Sequence, residues 1–60
     1  MKLTEIANTG CANGPCPAVF ETDNGTIVVQ GFDLGSTDLP PGEHRVEIPR
    51  YLLERAIRAL

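Results

Sequence analysis

Apolar and polar positions alternate most regularly over residues 18–31, "AVFETDNGTIVVQG". Two β-rich runs flank Asn24-Gly25, the pair that favours a two-residue type I′ hairpin turn. Such a turn sets Asp23 opposite Thr26, Thr22 opposite Ile27, Glu21 opposite Val28 and Phe20 opposite Val29. Strand alternation then places Ala18, Phe20, Thr22, Ile27, Val29 and Gly31 on one face. Val19, Glu21, Asp23, Thr26, Val28 and Gln30 share the other. The first face is the more apolar, so it is expected to be covered and the second to stay open.

The flanking segments are read by the same periods. Leu3 and Ile6 are too few to define a period over residues 1–9, which fit a short strand, a helical turn or a frayed end. Gly10, Gly14, Pro15 and Pro17 mark residues 10–17 as a turn region. "GFDLGSTDLPPG" is a connection rich in turn residues. "EHRVEI" alternates, with Val46 and Ile48 on one side and Arg45 and Glu47 on the other, and predicts a third strand. Pro49 ends it and suits the first position of a helix, where its missing N–H costs nothing. In "RYLLERAIRAL" a stripe of Leu52, Leu53, Ala56, Ile57 and Leu60 predicts a helix with one buried side. Arg50, Glu54 and Arg58 run down its outer side as a compensated charge row. The expected fold is α+β, a small antiparallel sheet of a hairpin plus one further strand, with the C-terminal helix packed on one face. Residues 1–60 form a single small domain in this reading.

Composition narrows the function. A chain of 60 residues buries only ~60% of its unfolded surface and gains from a disulfide, a metal or a partner. Its aromatics are Phe20, Phe32 and Tyr51, with no Trp, a poor supply for stacking on bases. Residues 1–44 carry one Lys against six acids, a net of −5. Residues 45–60 carry four Arg against two Glu, a net of +2. An acidic body argues against bulk binding to nucleic acid or anionic membrane. No secretory leader pattern opens the chain and no apolar run is long enough to cross a bilayer, so a cytoplasmic location without membrane association is expected.

Both cysteines lie in "GCANGPCPAVF". Cys11 and Cys16 are candidates for a metal clip or a disulfide. A closed zinc site needs four ligands, and His44 is the only further nitrogen or sulfur ligand in the chain. A Cys11–Cys16 disulfide would close a tight loop that Gly14-Pro15 can bend back, stabilising by about 2 kcal/mol in the chain-entropy model. Two small apolar thiols packed beside the sheet are the third option. No cofactor is expected. His44 has no serine or cysteine near it in a catalytic order. The acids are best explained as solvated, and the glycines form no phosphate-binding loop. These features argue against an enzyme.

The expectation is therefore a non-enzymatic accessory or regulatory protein that binds another protein or itself. Val19, Val28, Gln30 and Phe32 on the open sheet face are the interaction candidates, and the sheet edges offer strand addition as a second route. Arg50, Arg55 and Arg58 form a candidate basic helix face.

The segments "CANGPCPAVFETDNGTIVVQG" and "PPGEHRVEIPRYLL" together resemble a family of small actinobacterial proteins. Its members share C-P-x-V, a hairpin ending V-V-Q-G, and V-x-I-P before a helix. Such proteins are often encoded beside helix-turn-helix regulators, so the resemblance implies a regulatory role with a transcriptional regulator as partner. It carries no catalytic residues over. "HRVEIPRYLLERAI" also looks like the strand–Pro–helix of AbrB-like DNA-binding proteins, which implies as an alternative a DNA-binding dimer using Arg45, Arg50, Arg55 and Arg58. A second alternative is a thiol or metal module on Cys11 and Cys16.

Overall fold

The computed structural model describes residues 1–10 and 16–60. Its elements are β1 (Leu3–Asn8), β2 (Ala18–Thr22), β3 (Ile27–Gln30), β4 (Phe32–Asp33), β5 (Val46–Glu47) and α1 (Arg50–Ala59). β1, β2 and β3 form an antiparallel sheet in that order, and β4 and β5 form a separate two-stranded ribbon. The fold is α+β with the C-terminal helix against the sheet, as the pattern predicts. The third strand of the main sheet, however, is β1 and not the 43–48 segment. That segment contributes only Val46–Glu47, paired with Phe32–Asp33.

The hairpin forms where expected, but in another register. Glu21 faces Ile27, Phe20 faces Val28 and Val19 faces Val29. The loop is therefore Asp23-Asn24-Gly25, one residue longer than a type I′ turn allows. A type I′ turn needs positive φ at both central residues. Among the described residues only glycines adopt positive φ, here Gly25 at 80°. Thr22 supplies the competing arrangement. Its carbonyl accepts from the Gly25 N–H (3.2 Å), and its Oγ1 accepts from the N–H groups of Asn24 (3.1 Å) and Thr26 (3.2 Å). A type I turn followed by a left-handed glycine results, the usual three-residue hairpin loop.

A slip of one residue exchanges the partners on each face. Val19, Glu21, Ile27 and Val29 now share one face, while Ala18, Phe20, Thr22, Val28 and Gln30 share the other. The helix lies on the Val19 face. Ala7, Val19, Leu52 and Ala56 are its buried core, with Ile6 and Ile48 packed against them. Leu52 is fully buried and Val19 only 2% exposed. The face expected to be open is thus the covered one at Val19, and Val19 is a core residue, not an interaction residue.

α1 packs chiefly against β1 and β2. As a result only Leu52 and Ala56 of its apolar stripe are buried, while Leu53, Ile57 and Leu60 stay exposed. Pro49 sits one position before the first helical residue, as the N-cap in extended conformation, and its carbonyl accepts from Leu52 N–H at 3.1 Å. At the other end, Leu60 N–H donates to the carbonyls of Ala56 and Ile57, and Arg58 in the last turn complements the helix dipole.

Candidate functional site

The surface around Phe32 is built by one close approach. Gly31 joins β3 to β4, and a Cβ there would stand 2.6 Å from the Glu47 carbonyl oxygen and 2.7 Å from Ile48 Cγ2. Only glycine lets the ribbon fold back this tightly against β5. Phe32 faces Glu47 across the ribbon, and Leu34 N–H donates to the Arg45 carbonyl at 3.0 Å. Alternation therefore sets Phe32 and Leu34 on the same ribbon face. They are 63% and 60% exposed.

Phe32 stands between two open grooves. One, of 280 Å³, is lined by Cys16, Pro17, Gln30, Gly31 and Phe32. The other, of 270 Å³, is lined by Phe32, Glu47, Ile48 and Pro49. Both fall just below the roughly 300–1,000 Å³ of enclosed small-molecule pockets. Their openness suits an inserted side chain better than a buried metabolite. Gln30 is held at the rim by its Nε2, which donates to the Cys16 carbonyl at 2.7 Å.

On the opposite ribbon face Asp33 Oδ1 accepts from Gly35 N–H at 2.7 Å and lies 3.6 Å from His44 Nδ1. The Gly35 N–H is the main cause of a carboxyl pKa below the ordinary 3.8; desolvation opposes it, and hydrogen bonding and charge from His44 add to the lowering.

The other sequence candidates are dispersed. Val28 is half-buried beside Phe20 on the face away from the helix. Of the four arginines, Arg45 Nη1 donates to both carboxylate oxygens of Asp38, at 2.9 and 2.8 Å. Arg55 donates to the Asn8 carbonyl at 3.1 Å and lies 4.9 Å from the Tyr51 ring centroid, a cation–π contact. Arg50 and Arg58 take part in no ion pair among the described residues, so Glu54 does not close the charge row expected along the helix. Cys16 is disulfide-bonded; Cys11, the other cysteine of the chain, lies outside the described residues. Among the described residues no three His, Cys, Asp or Glu side chains gather as a metal site, and no helix is long and apolar enough to cross a membrane.

Leu34, Ile27 and Val29 are exposed apolar residues that sequence patterning did not select. Ile27 and Val29 lie on the helix side of the sheet, the side the type I′ register also gives them, but stay exposed because α1 packs chiefly against β1 and β2. No protein-family model, curated protein or solved structure matches the chain.

Proposed function

We propose that this chain acts without catalysis, by holding a partner protein on the ribbon surface around Phe32 and Leu34. The observation that carries the reading is the exposure of these two large side chains on one face of a ribbon braced at Gly31. Exposed aromatic anchors beside concave ground are what protein interfaces use as their energetic centre. Arg45 and Glu47 on the same ribbon supply a polar rim of both signs, and the open grooves accept side chains from the partner. A transcriptional regulator as that partner rests on the sequence resemblance.

The test is a photo-crosslinking amino acid placed at position 32 in the host cell, with position 43 as an exposed control. The expected result is a covalent adduct to a different protein from position 32 only. No adduct from position 32, or equal labelling from both, would refute the reading.

A further inference from the structure

Among the described residues β3 is an edge of the sheet, and its free side lacks the usual protections. Thr22 N–H donates to the Thr26 carbonyl at 2.9 Å. That bond makes Thr22–Thr26, Phe20–Val28 and Ala18–Gln30 the hydrogen-bonded pairs of the hairpin. Ile27 and Val29, at the alternate positions, therefore turn their N–H and C=O groups away from β2. Among the described residues no backbone group takes these up.

Natural edges are blunted by charge, proline or a bulge. β1, the other edge, has an irregularity between Glu5 and Ala7. β3 reads Ile-Val-Val-Gln with none of these devices. Ile27 and Val29 are also 46% and 40% exposed on the helix side of the sheet, where α1 packs chiefly against β1 and β2. Leu53, Ile57 and Leu60, at helical spacing on α1, are exposed apolar residues as well.

We propose that β3 is where two copies of this chain join, pairing antiparallel about Val28. In this register Val28 faces Val28 of its partner, and Ile27 faces Val29 of its partner on both sides of the axis. The facing Ile27 and Val29 are the residues whose backbone groups point outward, so each pair exchanges N–H and C=O as a hydrogen-bonded pair must. The strand is self-complementary and uncharged, as a two-fold interface requires. One continuous sheet results, with both helices on the same side and the four exposed Ile27 and Val29 side chains gathered between them.

The area agrees. Monomeric proteins of 6.5 kDa expose about 3,800 Å², whereas this chain exposes 4616 Å². The excess of about 800 Å², taken over the whole chain, is surface that a second copy can help to cover.

The test combines sedimentation equilibrium across a dilution series with amide hydrogen exchange. The native chain is expected at twice 6.5 kDa. Its Ile27 and Val29 amides should be protected, and should lose that protection on dilution while Val28 keeps its own. The I27K/V29K double variant sets like charges opposite one another in both pairs. It is expected to halve the mass, while Phe32→Ser leaves the mass doubled. A 6.5 kDa species at every concentration would overturn the proposal, and so would a dimer whose Ile27 and Val29 amides exchange freely. Loss of the dimer in Phe32→Ser but not in I27K/V29K would place self-association at the ribbon and overturn it as well. The exchange measurement on the native chain decides the matter even if the double variant fails to fold. The outcome is independent of whether a partner binds at Phe32.

Discussion

Replacing Gly31 by alanine tests how the ribbon is attached to the rest of the molecule. The added methyl meets the Glu47 carbonyl oxygen at 2.6 Å, the Ile48 methyl at 2.7 Å and the Glu47 carbonyl carbon at 3.2 Å. Two of the three are backbone atoms and cannot rotate aside, and Ile48 is packed against the core formed by Leu52 and Ala56. Overpacking of this kind costs about 1–3 kcal/mol. The gain from a less flexible unfolded chain returns about 0.4–1 kcal/mol. The net is a loss of about 1–2 kcal/mol, a large share of the roughly 3–9 kcal/mol available to a domain of this size. The thermal midpoint should fall by roughly 5–15 °C. Circular dichroism melts of the two chains measure it, and faster exchange of the Leu34 amide, which bonds to Arg45 across the ribbon, should accompany it. An unchanged or raised midpoint would mean that the ribbon is not held against β5 at Gly31, and would remove the support for Phe32 as a fixed anchor.

Two further expectations concern the loop and the acid side of the ribbon. Thr22→Val keeps the shape but removes the Oγ1 that bonds Asn24 N–H, Thr26 N–H and, at 2.7 Å, Thr26 Oγ1; urea unfolding should show a loss of about 1–2 kcal/mol, with Thr22→Ser restoring most of it. Asp33 has a folded pKa below 3.8, so its contribution to stability is complete above that value and is lost as pH falls through the lower folded pKa. The Gly35 amide shift, followed by NMR, should titrate with its midpoint below 3.8, and Asp33→Asn should abolish that transition.

The local elements of this protein follow from neighbouring residues alone. β-branched runs around Asn24-Gly25 specify a hairpin, and the Leu52–Ala56 spacing after Pro49 specifies a helix, because strand alternation and helical period are written residue by residue. The α+β class follows from the two together. Which face of the hairpin is buried was decided elsewhere. The Thr22 hydroxyl, by bonding Asn24 and Thr26, selects a three-residue loop, and that one extra residue reverses the facing of Val28 and Val29 relative to Phe20. Val19 then enters the core, while Ile27 and Val29 on the same side of the sheet stay exposed because α1 packs chiefly against β1 and β2. The use of 3–8 as the third strand was equally hidden, since Ile6 and Ala7 acquire their burial only under Leu52 and Ala56. Three of the five stripe residues, Leu53, Ile57 and Leu60, remain exposed because the helix packs chiefly against β1 and β2. Of the surface proposed to bind a partner, Phe32 and Gln30 were legible as candidates. Leu34 and the free edge of β3 were not, because accessibility depends on what the rest of the chain leaves uncovered. Pattern is a property of neighbours in sequence; burial and edge position arise only from long-range packing, and here they separate the residues that stabilise the fold from those left to meet another molecule.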